Sequence, residues 1–443
     1  MKLSINKPHV FVTNLDIDSV DLKAFTRFWL LSFTPWHSQS TIFVACQKDT
    51  SESREIGVNE NWNKQRQFRK PALMLSGQQK NKKSIGRNKM GQIPENLESV
   101  TVEWLLTLGQ HDKEMDGEDI THIAHRQVGD GIGQSGEFSR VTAATASGLT
   151  KNYFLKLRAP LDGMHQVALH YRMYEKEIKF YTELAGQMSA RTPQIFYSEF
   201  DKENEKIVLL MEFMDGWHSP DQIVGATDRQ IRSAIKALAK ISAPLWGKTS
   251  TIEWLPTYAD GYLRETQHDI QACAPIFAER FMSALPIARK DFDRVISGWP
   301  MIMDKLCEAP LTFTHDDFRV ENLFFSADDS EVAVIDWQLV AAIRPSWDFA
   351  YLIGTNIQTE IRRANQQDYI DLYLAELAEH GVNYAEADLR EDMKWTLLGN
   401  ASIPVIGGAN FVISNARSFE LFQQMSVRLF ETVLDFDALS VLN

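Results

Sequence analysis

The residues best suited to chemistry lie in two runs, Thr314-His315-Asp316-Asp317-Phe318-Arg319-Val320-Glu321-Asn322 and Ala333-Val334-Ile335-Asp336-Trp337. The first sets an Asp and an Asn five residues apart, and the second closes an apolar run on another Asp, fourteen residues beyond the Asn. Phosphoryl transfer from ATP uses such a set. One carboxylate accepts the proton of an acceptor hydroxyl, while an Asn oxygen and a second carboxylate hold magnesium against the phosphates. A lone Asp or Asn is most often a cap or turn residue. The whole set, flanked by strands, reverses that weighting. Leu323-Phe324-Phe325 and residues 332–335 read as the strands of a short hairpin, with Ser326-Ala327-Asp328-Asp329-Ser330 as its turn.

On these residues, extended to Gln338, the chain resembles the aminoglycoside/choline kinase-like phosphotransferases, closest to the ecdysteroid-kinase-like branch and its bacterial relatives. The resemblance covers roughly residues 90–443. It implies a two-lobed protein-kinase-like fold of the α+β class, with an antiparallel-sheet N-lobe and a mainly helical C-lobe. It also implies ATP and Mg²⁺ as cofactors and a hydroxyl on a small molecule as acceptor. Carried over residue by residue, Asp317 orients and deprotonates that hydroxyl, Asn322 and Asp336 coordinate magnesium, and His315 braces the catalytic loop as a neutral imidazole. Asp316 departs from the pattern, since the family usually has Gly there. Asp costs more than Gly wherever the backbone leaves ordinary dihedrals. A second departure is Ser242-Ala243, where the family often has His-Ala.

Such a site needs an ATP-gripping lobe upstream. Residues 128–141 form a Gly-rich turn running into a strand, with Gly131 and Gly133 placed to cover phosphates. No Gly-Lys-Ser/Thr follows, so it is not a Walker A loop. The segment after it is strand-like, whereas a dinucleotide-binding turn opens a helix. Lys156 lies inside the short apolar strand Asn152-Tyr153-Phe154-Leu155-Lys156-Leu157. Most strand lysines are solvated edge residues. In this context it reads as the lysine that reaches the α/β-phosphates and needs a carboxylate partner on the next helix. Residues 174–184 supply that helix, with Ile178, Tyr181 and Leu184 as its apolar stripe. Glu177 beside the stripe matches the family's glutamate, and Glu175 and Glu183 are the alternatives. Residues 207–216 then read as a buried strand and an interlobe hinge, where backbone groups near Glu212 and Met214 would read adenine.

Composition divides the chain. Residues 1–89 hold 15 Lys and Arg against 7 Asp and Glu, which leaves 31 against 52 for residues 90–443 within the net charge of −13. The acidic part argues against nucleic acid or an anionic membrane as partner. The basic part is polar over residues 47–89 and is expected to be a flexible extension. Met90 is the candidate true start, and a basic tether to an acidic partner is the other reading. Apolar runs within residues 9–45 are too short to span a bilayer, and a signal-peptide pattern is absent. The odd count of Cys46, Cys273 and Cys307 fits a reducing cytoplasm. No metal-ligand spacing points to zinc, and no Gly-x-Ser-x-Gly elbow points to a serine hydrolase.

The expected layout is therefore a flexible segment 1–89, an ATP-binding N-lobe 90–214, and a C-lobe 215–443 carrying the catalytic loop and acceptor site. Within the C-lobe, residues 228–241 read as an amphipathic helix with Asp228 as candidate N-cap. Residues 277–285, 292–296, 369–377 and 419–434 are further helices. A helix opens at Pro345-Ser346-Trp347-Asp348, and the resemblance makes Asp348 a buried support for the catalytic loop. A protein kinase is disfavoured, because His-Arg-Asp is absent from the loop and Trp337 replaces the Phe-Gly after the metal Asp. The other readings are an antibiotic-resistance kinase and a non-catalytic nucleotide-binding module of the same fold.

Overall fold

The computed structural model describes residues 3–6, 9–12, 93–108, 112, 114–128, 136–160, 162–259, 261–410 and 416–442. Gly131, Gly133, Cys46 and Met90 lie outside them, as does the basic segment 47–89. The chain divides into two units, Met1–Met90 and Gly91–Asn443. In the first, strands β1 (Leu3–Asn6) and β2 (His9–Val12) pair antiparallel.

The second unit begins with helix α1 (Val102–Thr107) and a five-stranded antiparallel sheet. Its strands are β3 (Ile120–Gln127), β4 (Glu137–Thr145), β5 (Thr150–Leu157), β6 (Ile195–Asp201) and β7 (Lys206–Glu212), in the order β3-β4-β5-β7-β6. Alternation builds the sheet. Ser139, Val141, Ala143 and Thr145 of β4 are buried at every second position. β7 is buried continuously from Ile207 to Met211, as a central strand covered on both faces must be. Between β5 and β6 the chain forms α2 (Asp162–His170) and α3 (Met173–Lys179), which runs into a π-helical turn, Phe180–Leu184.

A helical lobe follows. It contains α4 (Asp228–Ser242), α5 (Thr266–Phe281), α6 (Arg289–Ser297), α7 (Trp299–Leu306), α8 (Trp347–Thr355), α9 (Thr359–Glu379), α10 (Glu386–Gly399), α11 (Ser402–Asn410) and α12 (Ala416–Asp435). Two differences from the sequence expectation have clear causes. The N-cap of α4 is Thr227, not Asp228. Thr227 and Gln230 close a capping box, and Asp228 occupies the first turn, where the helix dipole favours a carboxylate. Helix α5 starts eleven residues earlier than expected and runs through Pro275. It packs on α11, where Gly408 lets Phe277 and Phe281 approach closely.

Four three-residue strands between α7 and α8 carry the chemistry-bearing runs. β8 (Thr312–Thr314) pairs with β11 (Ala341–Ile343), and β9 (Leu323–Phe325) pairs with β10 (Val332–Val334), all antiparallel. Phe180 ties α3 to these strands. It stacks on Trp337 with ring centroids 3.7 Å apart and 10° between planes, and on Phe313 at 5.8 Å. All three rings are fully buried. Phe180→Ala is therefore expected to cost about 3–5 kcal/mol of unfolding free energy. Denaturant unfolding checks this, and a loss under about 1 kcal/mol would mean the stack is dispensable.

Candidate active site

The backbone around Asp317 is set by three buried polar groups. Asp348, in the first turn of α8, accepts the N–H of His315 at 2.7 Å and that of Asp316 at 3.0 Å. The His315 ring spans the two halves of the site: Nε2 lies 2.8 Å from the Ile335 carbonyl, and Nδ1 accepts the Asp317 N–H at 3.3 Å. Ile335 N–H donates to the Asn322 carbonyl at 3.0 Å, which sets the backbones of Asn322 and Asp336 side by side. Asp316 takes a φ of +64°, the left-handed region that favours Gly. Asp336 takes a φ of +65°.

Lys156 is the electrostatic centre. Its Nζ lies 2.7 Å from Glu177 Oε2 and 2.9 Å from Asp336 Oδ1, and all but 3% of its side chain is buried. Burial opposes the ammonium charge, but Asp336 and Glu177 outweigh it, so the Lys156 pKa is raised. For Asp336 burial is again the largest influence, and Lys156 overcomes it and holds the carboxylate below its ordinary range. The glutamate that meets Lys156 is Glu177, which is 1% exposed. Glu175 instead pairs with Arg172 and Lys179, and Glu183 accepts from Trp254 Nε1.

Asp317 keeps 17% of its side chain exposed. Asn322 donates Nδ2 to both its carbonyl and its Oδ2 at 2.9 Å, and Tyr351 O–H donates to its Oδ1 at 3.3 Å. Burial pushes its pKa up to about 6, against the pull of Arg319. With its nitrogen committed to Asp317, Asn322 has its Oδ1 to offer a cation. Gln338 donates to Asp336 Oδ2 at 3.1 Å. Asp336 and Asn322 are thus hard oxygen donors on adjacent backbones, a set that fits Mg²⁺ with phosphate oxygens completing the shell. In the segment expected to be the interlobe hinge, Glu212 N–H donates to Gln194 O and the Met214 carbonyl accepts the Trp217 N–H. The Glu212 side chain pairs with Arg191.

Three neighbours were not singled out by the sequence reading. Tyr351 had a signal, since it lies one helical turn from Asp348 on the same face of α8. Arg319 lies inside the motif itself. Lys176 had none: it precedes Glu177 yet is fully buried with no hydrogen-bond partner, and burial lowers its pKa to about 7 against the opposing pull of Asp316.

This arrangement, a lysine–glutamate pair from a sheet lobe facing an Asp-Asn-Asp set in a helical lobe, defines a kinase-like phosphotransferase fold. The sequence profile of the ecdysteroid kinase-like family matches residues 136–383. The chain belongs to that family. An uncharacterised kinase-like protein of Caenorhabditis elegans is 23% identical over 214 residues, 46% of this chain and 57% of its own length. The match thus spans a little over half of that relative. Among solved structures, the choline kinase of Streptococcus pneumoniae is 16% identical with a TM-score of 0.43, covering 73% of this chain and 94% of its own. A Plasmodium vivax ethanolamine kinase is 11% identical with a TM-score of 0.46, covering 77% and 91%. No helix of the described residues is long and apolar enough to cross a membrane.

Burial lowers the His315 pKa to about 4, so its ring is neutral at neutral pH. An unfolded histidine titrates near about 6.5, so the folded state binds the proton less well. The stability contributed by His315 is whole above that value and is lost as pH falls from about 6.5 towards 4. Histidine ¹⁵N spectra should show one ring held neutral from about pH 8 to about pH 5, and that signal should be missing from His315→Asn. Titration of that ring near its unfolded value would contradict the assignment.

Proposed function

We propose that the protein is an ATP- and Mg²⁺-dependent phosphotransferase that phosphorylates a hydroxyl on a small molecule. The observation that carries this reading is Lys156 held at once by Glu177 and Asp336, at 2.7 and 2.9 Å. A buried lysine with two carboxylates suits a group that exchanges one of them for a phosphate when nucleotide enters. Glu177 stays to orient the ammonium, and Asp336 turns to the cation.

In this reading Asp317 accepts a hydrogen bond from the acceptor hydroxyl. The hydroxyl oxygen bonds to the γ-phosphorus of ATP. The bond from that phosphorus to the β–γ bridging oxygen breaks, its electron pair leaves on ADP, and the hydroxyl proton passes to Asp317. With a pKa near 6, Asp317 is ionised at neutral pH and basic enough to take that proton. Magnesium, held by Asp336 and Asn322, would neutralise charge on the phosphates. Lys156 fixes the α/β-phosphates. His315 and Asp348 hold the loop, and neither exchanges a proton with substrate. Gly131 and Gly133 cover the phosphates in this reading. The Met214 carbonyl is already used by Trp217, so adenine recognition there falls to the Met214 N–H, with Glu212 contributing its carbonyl.

The test is ADP release across a panel of sterols, amino alcohols, aminoglycosides and sugars. At least one hydroxyl compound should stimulate release. With that acceptor, Asp317→Asn should lower kcat roughly 10²–10⁴-fold while ATP affinity stays near wild type. Near-wild-type turnover in the variant would remove Asp317 from its role. Mg·ATP binding by the wild type with no ADP release under any condition would favour the non-catalytic nucleotide-binding module, and absence of Mg·ATP binding would contradict both readings.

A further inference from the structure

Arg319 stands two residues beyond Asp317 and has no part in the scheme above. Its Nε lies 3.3 Å from Asp317 Oδ2, and its Nη1 lies 3.5 Å from Glu321 Oε2. Charge-assisted N–H···O contacts are normally about 2.7–2.9 Å, so neither carboxylate is gripped at full strength. Nε is buried and makes no hydrogen bond. Glu321 is committed elsewhere: it accepts Nη2 of Arg417 at 2.8 Å, and Arg417 in turn faces Asp221 at 3.2 Å. Arg319 therefore keeps guanidinium donors in reserve.

The open side of the site shows where those donors can be used. Lys156 and Glu177 are sealed, whereas Asp317, Arg319 and Asp336 keep 17%, 23% and 23% of their side chains exposed. The contact of Arg319 with Asp317 and its own partial exposure place it on this open side. A hydroxyl bonded to Asp317 brings the γ-phosphorus to about 3–3.5 Å from its oxygen at the start of attack. A guanidinium anchored beside the same carboxylate is within reach of the phosphoryl oxygens there.

Resting on the phosphotransferase reading, we infer that Arg319 is a further catalytic residue, whose guanidinium binds the phosphoryl group in flight between ATP and the acceptor. Charge on that group spreads over its three equatorial oxygens as the bond to ADP breaks, and a planar fork of N–H donors matches such oxygens better than an ammonium does. Asp317 and Glu321 hold the fork from behind. The acceptor proton still goes to Asp317, and Arg319 exchanges none.

The test uses Mg·ADP with aluminium fluoride, a planar stand-in for the transferring group, and does not require the acceptor to be known. Titration of ADP into the full-length wild type with Mg²⁺ should show aluminium fluoride tightening binding by roughly 10²-fold or more. Arg319→Met should bind Mg·ADP as the wild type does and lose most of that gain. If the Met variant does not fold, Arg319→Lys gives the same comparison, with a gain roughly tenfold smaller than wild type expected. A gain equal in wild type and variant, or absent from both while Mg·ADP binds, would overturn the role of Arg319 and leave the parent reading standing. No binding of Mg·ADP by the wild type would overturn both.

Discussion

The site depends on keeping one lysine charged inside the protein. An isolated buried ammonium would lose its proton, because water solvates the charge far better than a protein interior does. Lys156 stays charged because Glu177 and Asp336 meet it from two sides. That demand reaches into the fold. Glu177 has to come from a helix pressed against the sheet, and Asp336 from a hairpin in the helical lobe. The stack of Phe180 on Trp337 provides both conditions, since Phe180 follows the helix that carries Glu177 and Trp337 follows Asp336. One ion triad and one aromatic stack thus join the two lobes at the same place.

A second constraint lies in the backbone. Asp316 and Asp336 both take positive φ, which costs non-Gly residues of order 1–3 kcal/mol each unless the surroundings over-determine it. Here they do. Asp348 holds the N–H groups of His315 and Asp316, His315 ties the loop to Ile335, and Gln338 holds Asp336. The Asp316 carboxylate is itself buried beside Tyr258 at 3.4 Å, and burial followed by the Asp348 charge raises its pKa well above the ordinary value. Lys176 is the opposing charge. A glycine at position 316 would have no carboxyl to place, whereas the Asp in this chain engages Tyr258.

Much of the architecture was legible because it is written in local patterns. The strand-like segment after the Gly-rich turn gave β4, the apolar run at residues 207–211 gave β7, and two short apolar runs around a polar turn gave the hairpin of β9 and β10. What could not be read depends on packing. Three glutamates near α3 were candidates for Lys156, and which one faces it follows only from how the helix is rotated against β5. Thr227 lost out to Asp228 as the expected cap because both are good capping residues and only geometry separates them. The helix expected from residue 277 begins at Thr266 and passes through Pro275, with packing on α11 holding it there. Lys176 looks in sequence like any solvated helix lysine. Gly131 and Gly133 lie outside the described residues, so their place in the site rests on the sequence alone.

The central claim is that Asp336 is shared between Lys156 and a magnesium-bound nucleotide. Calorimetry of ATP binding with and without Mg²⁺, on wild type and Asp336→Asn, tests it most directly. In the wild type Mg²⁺ should tighten ATP binding. In Asp336→Asn that increment should vanish while metal-free ATP binds at least as tightly as before, because Lys156 is freed from one of its carboxylates. An equal Mg²⁺ increment in both proteins would place the metal elsewhere and contradict the account.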